Sequence, residues 1–214
     1  MITQTHCNLR SMCGRYALHA NPEVVRLQFG LASVPELAPR YNVCPGTPIL
    51  VVRGSPARAE LLPWGSKPPN ARGETVAQKP MFAGAFRDFR CLVPASGFYE
   101  WKTLAGRKQP YYVSPKENAL FGLAGIVLLW KGERKISLIT TAPNDLMRQI
   151  HGRMPVILTR EDYGAWLDPA NRNASGFLRP YPADRMLAHA VSPRVNRPEH
   201  DDAALIESVT APQD

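Results

Sequence analysis

The sequence predicts an α+β fold: a single β-rich domain of mixed and antiparallel sheets, barrel-like, flanked by short helices. Short apolar or alternating runs, bounded by Gly, Pro, Asn and Ser, recur through the middle of the chain, as strands joined by turns do. Segments with helix-start chemistry are few and brief, and 21 prolines leave little room for long helices. With 214 residues, 44% of them hydrophobic and 21% charged, the chain can bury a proper core.

Asn21-Pro22-Glu23 opens the first helix, with Asn as N-cap, Pro at the first helical position and an acid in the first turn. Val24, Val25 and Leu27 carry it to Phe29, and Gly30 stops it in a left-handed cap. After a proline-bounded loop, residues 40–46 make an extended segment and turn, and strands follow at 49–53 and 59–64. Gly65 to Pro69 is loop, because paired prolines suit neither helix nor central sheet. Residues 70–75 end that loop ahead of a short helical turn, and Cys91–Val93 reads as a buried strand. Residues 97–102 alternate, so Phe98, Glu100 and Lys102 share one face while Tyr99 and Trp101 share the other. Strands are expected over 110–114, 120–130 and 136–141, with Gly132 in a hairpin turn. A short helix over 144–150 closes on His151-Gly152-Arg153, and 154–158 returns to strand. Thr159 to Asp162 resembles a capping box opening a helix that Pro169 ends, and a last strand lies near 186–191.

No run approaches the length of a membrane span. Residues 1–11 contain no apolar signal segment, so the expected location is cytoplasmic or nucleoid-associated. The net charge is +8. Residues 199–214 hold five acids and no Lys or Arg, which leaves 1–198 at +13. Such a body suits a polyanion, although basic charge also serves solubility alone. Cys7, Cys13, Cys44 and Cys91 form no C-x2-C pair, so neither a zinc site nor any other metal or cofactor is expected.

Met12-Cys13-Gly14-Arg15-Tyr16 carries an unusual option. If Met12 is the true start and is removed, Cys13 presents an α-amine and a thiol on adjacent carbons. That pair condenses with an aldehyde to a five-membered thiazolidine. The competing assignment is a small buried cysteine at a strand start. Glu100, between aromatics, is either an acid–base group raised by desolvation or a solvent-facing edge residue. His151, at a helix end, is a proton shuttle or a cap. Asn70 is a turn residue or an orienting amide.

Six segments occur in one order: Met-Cys-Gly-Arg-Tyr, Arg-Tyr-Asn-Val-x-Pro-Gly, Asn-Ala-Arg-x-Glu-Thr, Gly-Phe-Tyr-Glu-Trp-Lys, Thr-Thr-x-x-Asn and Ile-His-x-Arg-Met-Pro-Val-Ile-Leu. Closed by Val191 to Asn196, this series resembles the SOS-response-associated peptidase (SRAP) family over essentially residues 12–209, with 1–11 as an extension and 210–214 as a tail. The resemblance implies a monomer that recognises abasic sites in single-stranded DNA, in a basic DNA-binding cleft, and cross-links to them through the terminal cysteine. It implies Cys13 as nucleophile, Asn70 as orienting group, Glu100 as acid–base group and His151 as proton shuttle. It assigns Arg15, Arg72 and Arg153 to phosphate contacts, and Pro45 and Thr140 to the cleft lining.

Two features depart from the family pattern. Residues 1–12 block the amine of Cys13 until Met12 serves as start or the segment is removed by autoproteolysis. The loop before Asn70 is shortened to Ser66-Lys67-Pro68-Pro69, without the further tryptophan common there, and each lost base-stacking contact is worth roughly 1–3 kcal/mol. Two other functions compete: a cysteine peptidase built on Cys13, His151 and Glu100, and a non-covalent module binding single-stranded DNA or modified bases.

Overall fold

The structure, a computed structural model, describes residues 13–65, 68–117 and 119–211. The N-terminal extension, Met12, Cys7 and the Ser66-Lys67 part of the shortened loop lie outside the described residues. The architecture is α+β and sheet-rich, as the sequence predicts.

One sheet has five strands in the order β13-β8-β7-β1-β2, from Met186–Ala190, Arg107–Pro115, Gly97–Leu104, Tyr16–Leu18 and Arg40–Val43. The other has eight. Its main path runs β11 (Met154–Pro155), β10 (Glu133–Thr141), β9 (Phe121–Trp130), β6 (Arg90–Ala95), β3 (Pro48–Arg53), β4 (Arg58–Pro63). To this sheet β5 (Asn70–Arg72) adds in parallel on β10, and β12 (Ile157–Leu158) adds on β9.

The expected barrel-like closure does not form, and the two sheets stay open. Beyond β9, β10 pairs with β5 at residues 138–140 and with β11 at 140–141. That leaves Ile136 to meet the end of β4 through a lone bridge with Trp64. The expected strand at 154–158 splits for the same reason. Val156 donates to Ile139 and accepts from Ala124, so the chain passes from one neighbour strand to the other at that residue.

The helices are short. α1 (Pro22–Gln28) begins as its sequence demands: the Asn21 side chain accepts from the Glu23 amide at 2.8 Å, and Gly30 takes φ +63° beyond its end. α2 (Gly73–Val76) follows β5, α4 (Asp145–Arg148) is capped by Asn144, and α5 (Tyr163–Leu167) ends before Pro169. The sequence reading missed α3 (Pro80–Asp88), the longest, which buries Phe82 and Phe86. No helix among the described residues is long and apolar enough to cross a membrane.

Two polar hubs tie the strands together. Arg90 is buried, and its guanidinium donates to the carbonyls of Phe86, Arg87, Trp166, Asp168 and Asn171, fastening α3 and α5 to β6. Asp201 accepts from the amides of Tyr41 and Asn42 and pairs with Arg40, so part of the acidic tail belongs to the fold.

Candidate active site

β1 and β7 pair with Tyr16 opposite Phe98 and Ala17 opposite Gly97. Continued backward, that antiparallel register brings residues 13–14 to Glu100. The backbone nitrogen of Cys13 donates to Glu100 Oε1 at 2.8 Å, and the Cys13 thiol is also hydrogen-bonded to this carboxyl. Cys13 has φ +48°, a left-handed conformation unusual for a residue with a Cβ. Cys13 and Glu100 are 3% and 2% exposed, so Glu100 turns inward from its strand.

The second carboxylate oxygen of Glu100 faces His151, with Nδ1 3.8 Å from Oε2. His151 follows α4, where its amide donates to Met147 O, and its Nδ1 lies 3.2 Å from both the amide and the carbonyl of Arg153. Arg153 then reaches back to β10, donating from Nη2 to Thr140 O at 2.8 Å and to Thr140 Oγ1 at 3.0 Å. Thr140 in turn lies opposite Arg72 in the β5–β10 pairing. Cys13, Glu100, His151, Arg153 and Thr140 thus form one connected series between the two sheets.

Burial sets the electrostatics. Desolvation pushes the Glu100 carboxyl up, opposed by His151 and by the hydrogen bonds with Cys13. Desolvation pushes the Cys13 thiol well up, Glu100 raises it further through its charge and hydrogen bond, and Arg153 pulls weakly the other way. The thiol is therefore held protonated at neutral pH. A peptidase nucleophile needs the reverse, a depressed thiol beside an imidazole; here the carboxyl stands between Cys13 and His151.

Beside this series opens a cleft of about 790 Å³, lined by Pro68, Pro69, Asn70, Arg72, Met81 and Thr140 among others. Asn70 and the exposed Arg72 sit on this wall, presented by β5. Two of the expected positions differ. Pro45 is buried in the turn between β2 and β3, and is not among the described residues lining this cleft. Arg15 points inward at 2% exposure, its Nη1 donating to Asn42 Oδ1 and Val195 O at 2.7 Å each. The outward charge expected of Arg15 is spent on the fold. Glu74, in α2, was overlooked: its carboxylate makes a two-pronged ion pair with Arg153. The signal was present as the one acid in Asn-Ala-Arg-Gly-Glu-Thr.

Fold and site together define a class: a two-sheet α+β protein that holds a cysteine, through its backbone nitrogen as well as its thiol, against a buried acid. The chain belongs to the SOS response associated peptidase (SRAP) family, whose sequence profile matches residues 12–198. It is similar to the abasic site processing protein YoqW of Bacillus subtilis, 39% identical over 92% of this chain and all of that one. The abasic site processing protein YedK of Escherichia coli is 28% identical over the same shares. The abasic site processing protein HMCES of Xenopus tropicalis is 30% identical over 67% of this chain and 51% of its own. Among solved structures, a Bacteroides thetaiotaomicron protein superposes with TM-score 0.82 at 26% identity, covering 92% of this chain and 100% of that one.

Proposed function

We propose that this chain processes abasic sites in DNA by capturing them covalently in single strands, with Cys13 as the attaching residue. One observation carries the reading: the backbone nitrogen of Cys13, and not only its sulfur, is set against the buried Glu100 carboxyl at 2.8 Å. The relatives named abasic site processing proteins point to the same substrate.

The chemistry needs Cys13 as the first residue, reached by starting at Met12 and removing it or by cleavage before Cys13. The amine adds to the aldehyde carbon of the opened deoxyribose, and the carbinolamine loses one water to give a Schiff base. Sγ then adds to that carbon, its proton passing to nitrogen, and a thiazolidine closes. The net loss is one water, with nothing oxidised or reduced. A protonated Glu100 supplies the proton that expels water and, as carboxylate, takes the thiol's proton. His151, across that carboxyl, exchanges protons with it and with the sugar ring oxygen. Asn70 orients the sugar, and Arg72 and Arg153 meet phosphates. Thr140 holds Arg153 in place.

The test mixes protein beginning at Cys13 with a single strand carrying one abasic site, then denatures it. A stable adduct is expected, absent when the terminus is acetylated. Cys13→Ala should lose it and leave a Schiff base that borohydride traps. An adduct of unchanged stability and yield in the Ala variant refutes the thiazolidine. Binding without any adduct in the unmodified protein favours a non-covalent module.

A further inference from the structure

Arg153, which the reading above gives to a DNA phosphate, already holds an anion. Its Nη1 and Nη2 both meet the Glu74 carboxylate, the second at 2.9 Å. Nη2 is also committed to Thr140 O and Oγ1, and Nε is buried without a hydrogen-bond partner. The edge that a phosphate would grip with two parallel bonds is the edge Glu74 occupies. The Glu74 side chain is half exposed, while that of Arg153 is only 17% exposed, so the carboxylate closes the solvent side of the pair. Glu74 also lies, more weakly, in the field of Arg72.

We propose that Glu74 is an internal stand-in for a DNA phosphate: it occupies Arg153 in the free protein and must swing away before a strand can take its place. This rests on Arg153 being a phosphate contact. The exchange replaces one anion by another on the same guanidinium, so undamaged strands gain little from Arg153 and leave readily. An abasic strand, once its sugar is covalently held, keeps its place regardless. Glu74 thereby acts as a specificity-determining residue through Arg153, weakening non-covalent residence without touching the reacting atoms. Its position in α2, on a flexible three-bond stem at the protein surface, lets it move without disturbing either sheet.

The experiment measures equilibrium binding of a labelled, undamaged single strand by fluorescence anisotropy at about 0.1 M salt. Glu74→Gln, isosteric at a half-exposed site, should bind about 5-fold tighter, the factor that the attraction between two opposite unit charges a few ångströms apart in water supplies once a strand no longer has to displace it from Arg153. The gain should vanish when Arg153→Met is added, because the exchange needs the guanidinium. A gain that persists undiminished with Arg153→Met would show only a general effect of removing negative charge, and overturns the proposal. So does equal or weaker binding by Glu74→Gln. If the unmodified protein cross-links abasic strands and Glu74→Gln does not tighten binding, this inference falls alone. If the unmodified protein neither binds nor cross-links, the proposed function falls with it.

Discussion

Arg15→Met separates two roles for one guanidinium. The sequence motif suggests a phosphate contact, whereas the structure buries the side chain at 2% exposure between Asn42 Oδ1 and Val195 O. Hydrogen bonds from a charged donor contribute roughly 1.5–3 kcal/mol each. Val195 O keeps a second donor, Asn42 Nδ2 at 3.3 Å, so its loss is partly made good. Asn42 Oδ1 loses the 2.7 Å donor on which its orientation depends, while Nδ2 still holds the carbonyls of Arg197 and His200. Methionine keeps the apolar stem, and the loss of these two bonds alone costs about 3 kcal/mol net. For a chain of this size, each kcal/mol lowers the melting temperature by roughly 2–4 °C. Calorimetry at neutral pH should therefore find Arg15→Met melting about 6–12 °C lower. The salt dependence of single-strand binding, measured well below that melting point, should keep its slope. Arg72→Ala, at an exposed position on the cleft wall, should do the reverse: little change in melting, and a slope shallower by about 0.7. An Arg15→Met protein with unchanged melting and a shallower slope would refute the burial argument and restore the phosphate role.

Glu100 and the strand that carries it can be tested in the same way. Glu100→Gln should slow cross-linking by about 10²- to 10⁴-fold, the usual range for general acid–base catalysis. It should also alter stability with pH. Burial raises the folded Glu100 carboxyl above its unfolded value, so between the two the native state binds more protons. That contribution is fully present below the unfolded value and is lost as pH rises through the folded one. Glu100→Gln should thus melt above the unmodified protein at pH 8, the gap closing toward pH 4; a gap independent of pH would sink this. Gly97→Ala tests the strand pair that carries Glu100. An added Cβ would lie 2.6 Å from Val113 O and closer still to the Tyr112 ring, so overpacking should cost about 1–3 kcal/mol. Gly152→Ala, with nothing within 4 Å, should leave melting unchanged and serves as the control.

Local chemistry explains which elements the sequence made legible. The Asn21-Pro22-Glu23 cap and the Gly30 stop sit where α1 begins and ends. The Lys131-Gly132 turn, both residues at positive φ, joins β9 to β10 as a two-residue hairpin. The sequence leaves Glu100 two readings, and the pairing of β7 with β1 on one side and β8 on the other removes the edge-strand one. What escaped depends on distant partners. α3 has Lys79 before it with no side-chain cap and Gly84 in its interior, and is held by packing of Phe82 and Phe86. β5 lies in a segment whose prolines read as loop, yet three residues pair in parallel with β10. Arg15, which the resemblance assigns to a phosphate contact, is buried, and nothing nearby in sequence announces Asn42 Oδ1 and Val195 O as its acceptors.

On the proposed reading, the buried thiol sets the order of bond formation. Cys13 carries two nucleophiles beside one carboxyl, and the thiol is the one held back. Burial and the adjacent Glu100 both favour its protonated form. An amine in the position of the Cys13 backbone nitrogen is instead accepted directly by Glu100 Oε1. Attack by nitrogen comes first and creates a cationic Schiff base in a site from which water is largely excluded. That new positive charge, one carbon chain away from Sγ, reverses the local balance, since an opposite charge favours the thiolate. Sulfur is thus activated by the intermediate it is to trap, not in the resting protein. A thiol kept neutral until an aldehyde has already reacted is protected from oxidants and stray electrophiles, which attack the thiolate. This order requires the Cys13→Ala protein to form its borohydride-trappable Schiff base at the rate of the unmodified protein. A marked slowing of that first step would place sulfur, not nitrogen, at the first bond.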